Sequence, residues 1–151
     1  MRGEQTIKIA AAPDTVYALV SDLTQMGEFS PECRQVQWLG GATGPAAGAK
    51  FVGHNRNGPI KWSRQGRVVS AAPGHQFSFV TEERGRDSTL WTYQLRASAG
   101  GTTVTESYQV RWIPWWMHAV DAVTFRRRQL LRNMATTLAQ LKAAAESPPA
   151  G

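Results

Sequence analysis

The sequence has one cysteine, Cys33, in 151 residues, so no internal disulfide is possible and no cysteine cluster can hold a metal. Its three histidines, His54, His75 and His118, stand far apart and show no ligand spacing. Long apolar runs are missing too. No stretch of about 18 apolar residues is present to cross a bilayer, and Met1–Ile9 alternates like a strand instead of forming the apolar segment of a signal peptide. The expected location is cytoplasmic. There is no Ser-His-Asp order and no His-Cys pair near a glycine turn. The glycine-rich Gly40-Gly41-Ala42-Thr43-Gly44 lacks a following Lys-Ser/Thr and precedes no clear helix, so it is no phosphate cradle. It reads as a flexible hairpin turn or as a lid at a pocket mouth. Neither a metal nor a cofactor is expected.

What is present suits a soluble globular chain, with 42% hydrophobic and 19% charged residues. The length matches one domain, expected over 1–146, with 147–151, which contains Ser147-Pro148-Pro149, as a frayed tail. Six tryptophans exceed what a minimal core needs; they either pack it or line a cavity. The net charge is +6 and the isoelectric point about 10.1. Between Arg111 and Glu146 six cations face two acids, but at helical spacing they point several ways. That is a solvated basic helix and not a nucleic-acid stripe, so no nucleic-acid partner is expected.

Gln5–Ile9 alternates as a strand. Pro13 opens a short helix whose apolar face is Val16, Tyr17, Leu19 and Val20, and Leu23–Pro31 forms a second short helix or a loop. Six more strands follow: around Val36–Trp38, Lys50–Asn55, Ile60–Val69, Gln76–Thr81, Thr89–Leu95 and Thr103–Trp112, the second and third joined by the tight-turn pair Asn57-Gly58. The period of Ile113–Ala145 predicts one long helix. Trp116, Val120, Val123, Leu130, Met134, Leu138 and Leu141 fall within about 40° of one line, and Arg127 intrudes about 20° from its centre. The class is α+β: an antiparallel sheet whose apolar face is covered by that helix.

This order, with Ile9-Ala10-Ala11-Ala12-Pro13-Asp14-Thr15-Val16-Tyr17-Ala18-Leu19-Val20-Ser21-Asp22, Trp38-Leu39-Gly40-Gly41, Gly53-His54-Asn55-Arg56 and Gly101-Thr102-Thr103-Val104-Thr105-Glu106-Ser107-Tyr108, resembles the SRPBCC superfamily. These are the START-like, helix-grip proteins, in particular the actinobacterial members labelled polyketide cyclase/dehydrase or lipid-transport proteins. The resemblance runs from about Gln5 to Ala145. It implies a seven-stranded antiparallel sheet curved around a long C-terminal helix, with two short helices after the first strand and a deep apolar pocket. The family has no universal catalytic motif, so it carries over no catalytic residue. Phe29-Ser30-Pro31-Glu32-Cys33 looks like a subgroup signature with no role attached; it reads as a turn.

Charged residues on apolar faces carry the most information about the pocket, because an unpaired buried charge is expensive. Glu106 is the only charge on the face shared by Val104, Tyr108, Val110 and Trp112, Arg64 lies among Trp62, Gly66 and Val68, and Arg127 interrupts the helix stripe. The expected pocket comprises Phe51, Trp62, Arg64, Phe77, Phe79, Trp91, Tyr93, Glu106, Tyr108, Val123 and Arg127, with Glu106 paired to Arg127 or Arg64. Such an island would fix the polar end of an apolar ligand. In the plainer reading both arginines reach the rim and Glu106 makes a fold-stabilising bridge. The first reading of function is a carrier of a hydrophobic lipid or polyketide-like molecule. The second is a cofactor-free cyclase, aromatase or dehydratase using Glu106 or Tyr93 as proton donor or acceptor, with an arginine holding an enolate. The third is a module that binds a protein partner. Phe125, opposite the stripe, and Trp115 leave a dimer contact or peripheral membrane contact open beside their reading as lone exposed residues. The chain is expected to be a monomer or homodimer.

Overall fold

The computed structural model describes residues 2–123 and 125–147, the side chains of 122 and 123 excepted. Strand β1 (Arg2–Ile9) turns at Ala12 into helix α1 (Pro13–Ser21), where Pro13 occupies the first turn, in which a missing N–H costs no bond. A 3₁₀ turn (Leu23–Gln25), capped by the Asp22 carboxylate accepting from the Thr24 N–H at 3.2 Å, and the single-turn α2 (Met26–Phe29) follow. Then come β2 (Cys33–Leu39), β3 (Lys50–Asn57), β4 (Ile60–Ala72), β5 (Gln76–Glu83), β6 (Arg86–Ser98) and β7 (Gly101–Val110). The chain closes with α3 (Trp115–Val123) and α4 (Arg126–Glu146).

The seven strands form one antiparallel sheet in the order β1-β7-β6-β5-β4-β3-β2. Sequence neighbours from β3 to β7 pair through short turns, which is the cheapest way to close antiparallel strands, while β2 pairs with β3 across the longer glycine-rich loop 40–49. Because β1 and β2 lie at opposite edges, α1 and α2 carry the chain across the sheet between them. The sheet grips α4 as the resemblance implies. Leu130, Met134, Thr137, Leu138 and Leu141 are the buried positions of α4, recurring every three to four residues. Leu138 and Leu141 pack with Ile9, Val16, Phe77, Leu95 and Val104 in the main core. Burying such a side chain fully stabilises by roughly 1.5–3 kcal/mol. Leu130 and Met134 meet Tyr108 in a smaller cluster nearer the start of α4.

The closing helix differs from the expectation in one respect that decides the site. It is two helices. Phe125, at the start of α4, has φ 54° and ψ 40°, a left-handed backbone that ends the phase of α3. A hydrophobic stripe drawn through this break assigns the wrong face to everything before it. Trp116 and Val120, expected to seal the helix to the sheet, are 44% and 49% exposed. The side chain of Val123, also expected there, lies outside the described residues.

Candidate functional site

Between the sheet, α2, α3 and α4 lies a cavity of about 220 Å³. The sheet supplies its aromatic wall: Phe51, Trp62, Phe79, Trp91 and Tyr93 all line it. Their placement follows from strand register, since Phe79 faces Trp91 across β5 and β6 while Gly66 faces Phe51 across β3 and β4. Gly66 is needed there. A Cβ at that position would stand 2.4 Å from the Val80 carbonyl oxygen and 2.6 Å from the Phe51 ring, so glycine lets the ring lie flat over β4. Phe51 and Phe79 meet edge to face at 5.5 Å between centroids.

Glu106 sits on β7 between Val104 of the main core and Tyr108 of the smaller cluster, and lines the cavity. It is 3% exposed. The register of β6 and β7 sets Tyr93 directly opposite, and the Tyr93 hydroxyl donates to Glu106 Oε1 at 2.9 Å. Oε2 is buried with no hydrogen-bond partner among the described residues. Burial lifts the carboxyl to about 8, against a smaller downward pull from the Tyr93 hydrogen bond, so at neutral pH the group is predominantly a neutral acid. Protonated at Oε2, it offers an O–H donor to the cavity.

The expected pairing of Glu106 with an arginine is not what the structure contains. Arg64 does line the cavity, but its guanidinium is engaged by the Glu83 carboxylate and donates to the Glu82 carbonyl at 3.4 Å. Arg127 is exposed, in the first turn of α4 before Leu130, the first helix residue buried against the sheet. Its neighbour Arg126 takes the cavity position instead. Arg126 grips Glu32 with both nitrogens, at 2.5 and 2.8 Å, and Asn133 donates to the same carboxylate at 2.8 Å. The Ser30 hydroxyl fixes Glu32 in turn, accepting from the N–H groups of Glu32 at 3.3 Å and Cys33 at 3.1 Å. The turn Phe29–Cys33 thereby acquires a role: it holds the counter-ion of Arg126 and puts Cys33 in the cavity wall. Burial pushes the Cys33 thiol up to about 11, which keeps it a thiol and a poor nucleophile at neutral pH.

Two further expected residues stand behind the wall. Phe77 is fully buried and packs against Tyr17 and Phe79, and Tyr108 is buried against Trp91, Leu130 and Met134, so neither lines the cavity. Alternation places a side chain on a face; it does not say whether another side chain lies over it. Met117 and Asp121 of α3, unexpected from the sequence, do line the cavity, because the helix break turns that face inward. The glycine-rich segment after β2 contributes no lining residue and walls a separate open hollow, which removes the lid reading. Among the described residues no three His, Cys, Asp or Glu side chains come together as metal ligands, and no helix is long and apolar enough to cross a membrane.

The profile of the family described as polyketide cyclase / dehydrase and lipid transport matches residues 1–146. A polyketide-cyclase-like protein from Corynebacterium glutamicum, Cgl2372, is 30% identical, with 96% of this chain aligned to 85% of that one at a TM-score of 0.53. TTHA0849 from Thermus thermophilus shares 16% identity, with 97% of this chain covering 100% of that one, and a TM-score of 0.74. StfQ, a di-domain aromatase/cyclase from the steffimycin biosynthetic pathway, matches at 15% identity and a TM-score of 0.77, with 96% of this chain spanning 50% of its length. The last two likenesses are likenesses of fold. No protein of curated function matches the sequence.

Proposed function

The chain belongs to the polyketide cyclase/dehydrase and lipid transport family, and from that premise we propose that it binds a hydrophobic small molecule of the lipid or polyketide class in the cavity between sheet and α4. One observation carries this reading: an aromatic-walled cavity holds a buried carboxyl oxygen, Glu106 Oε2, that no described residue bonds. A buried polar atom left unsatisfied costs about 1–3 kcal/mol, so a ligand that completes it gains what the unpaired oxygen forfeits. The complementary group is neutral and accepts a hydrogen bond, such as a ketone, phenol or ester carbonyl. A ligand carboxylate at the same depth would lose its water without gaining a cation to offset that cost, since Arg64 and Arg126 are committed to Glu83 and Glu32. At about 220 Å³ the cavity lies below the roughly 300–1,000 Å³ usual for drug-sized ligands, which favours a compact ligand or one that displaces α3.

The test is a thermal-shift and native mass-spectrometry screen of neutral aromatic ketones and phenols, methyl esters of fatty acids, and the corresponding free acids. Neutral ligands should raise the melting temperature and the free acids should not. Glu106→Leu should remove the preference between ester and acid. A screen in which no member of either set binds would end the proposal.

A second reading, a cofactor-free cyclase or dehydratase, is favoured by the same pair. Tyr93 and Glu106 are buried, hydrogen-bonded titratable groups, and a carboxyl near 8 can both give and take a proton at neutral pH. The arrangement supplies acid–base chemistry but no free cation for an enolate among the described residues lining the cavity, which is why binding is put first. Turnover lost in Glu106→Gln with binding retained would reverse that order.

A further inference from the structure

The outer side of the cavity's α3 wall and its end carry four of the six large hydrophobic side chains exposed among the described residues. Met117 and Asp121, one turn apart, point into the cavity, and Trp116 and Val120, also one turn apart, point out. Trp115 is 83% exposed and Phe125, at the break before α4, is 62% exposed. Singly exposed apolar residues need no explanation, but four on one short helix and its end are a surface. It is framed by cations. The guanidinium of Arg84, on the β5–β6 turn, lies 5.9 Å from the Trp116 ring centre, that of Arg86 lies 4.3 Å from Trp112, and that of Arg128 lies 5.5 Å from Phe125. All three arginines are exposed, and none is in an ion pair among the described residues.

We infer that the Trp115–Phe125 face docks on an anionic lipid surface, its aromatic side chains entering the headgroup boundary and Arg84, Arg86 and Arg128 meeting lipid phosphates. Aromatic rings beside arginines are the composition of interfacial helices, because the rings tolerate one wet end and the arginine stems lie along apolar surface while their heads reach charge. Charge decides against a second copy of this chain. A two-fold contact would bring the same patch against itself and gather into one apolar interface two sets of three arginines that have no ion-pair partner among the described residues. A phosphate-bearing bilayer offers the opposite sign together with an apolar layer. Docking in this way is independent of what the cavity binds, although it would turn the cavity's α3 wall towards lipid.

Co-flotation of the full chain with vesicles of phosphatidylcholine alone, and of phosphatidylcholine mixed with phosphatidylglycerol, tests this. The protein should float with the mixed vesicles, less so as salt is raised, and little with phosphatidylcholine alone. Arg84→Gln combined with Arg128→Gln should weaken partitioning by roughly thirtyfold, since each basic residue near such a surface contributes about 1 kcal/mol. Trp115→Gln, at a side chain too exposed to matter for folding, should weaken it as well, with circular dichroism and melting unchanged. Failure to float with mixed vesicles would overturn the inference. So would flotation insensitive to both variants, or a dimer in lipid-free buffer that Trp115→Gln dissolves in sedimentation velocity, which would assign the face to a second copy.

Discussion

Tyr93 and Glu106 face each other across β6 and β7, and the tyrosine hydroxyl satisfies one carboxyl oxygen while leaving the other buried and open to the cavity. The stability of the fold therefore depends on pH through this residue. An unfolded glutamate loses its proton near 4.5, whereas folded Glu106 holds its proton to about 8. Between those values the folded state binds the extra proton. Stability is full below about pH 4.5, falls as pH rises, and levels off above about 8. The total loss is on the order of 5 kcal/mol. Asp121, also raised by burial, adds a loss of the same sign beginning just above its ordinary range. Asp87 and Glu146, lowered by Arg67 and by the Ala10 N–H and Lys142, act below that window. Urea unfolding from pH 5 to 9 should show the decline, and Glu106→Gln should flatten most of it. A wild-type profile as flat as the variant's would refute the raised carboxyl.

Tyr93→Phe removes the one hydrogen bond that favours the ionised form of Glu106. The carboxyl should then titrate still higher, read from the side-chain carbon shift of Glu106 by NMR, and stability at pH 6 should drop by about 1 kcal/mol. An unchanged titration would mean that the two groups are not bonded in solution.

Adjacent arginines at the start of α4 should behave very differently. Arg126 donates to Glu32 and Gln129, and its removal leaves the largely buried Glu32 carboxylate with Asn133 alone. Arg126→Ala should cost about 2 kcal/mol, less than the 3–5 kcal/mol of a fully buried pair because both partners retain some solvent. Arg127→Ala, at an exposed side chain without an ion pair among the described residues, should stay within about 0.5 kcal/mol. Chemical denaturation of the two variants side by side separates the roles.

Phe125 carries a left-handed backbone that bulky side chains avoid, at a cost of roughly 1–2 kcal/mol. Its ring is exposed, so little packing is lost on replacement. Phe125→Asn should stabilise the fold by about 0.5–1 kcal/mol, because asparagine tolerates this conformation. If α3 and α4 were one continuous helix in solution, the same change would destabilise it, and a melting curve tells the two apart.

How far the sequence could be read follows from which signals are local. Alternation along Val104–Val110 located β7, and Glu106 stood out as a charge breaking it; both are properties of a few consecutive residues. The grip of the sheet on α4 follows from Leu130, Met134, Leu138 and Leu141 for the same reason. The break at Phe125 has no such signal, since neither proline nor glycine marks Val123-Thr124-Phe125-Arg126, and a periodicity assumed continuous put Arg127 where Arg126 belongs. The partners of the charged residues were also out of reach. Glu32 and Arg126 are 94 positions apart, and Arg64 finds Glu83 through a strand register that alternation alone does not set.

Gly66 offers a test of the cavity wall that needs no ligand. In Gly66→Ala the new methyl would lie 2.4 Å from the Val80 carbonyl oxygen, which is backbone of the paired strand, and 2.6 Å from the Phe51 ring. The ring can swing towards the cavity, but the carbonyl can move only by bending β5 away from β4. The expected cost is about 1–3 kcal/mol from overpacking. Shortening the ring in Phe51→Leu/Gly66→Ala should recover only the part due to the ring, because the contact with Val80 remains. If the double variant regains full stability, the ring alone fills the space over Gly66 and the Val80 carbonyl oxygen lies further from the new methyl than 2.4 Å.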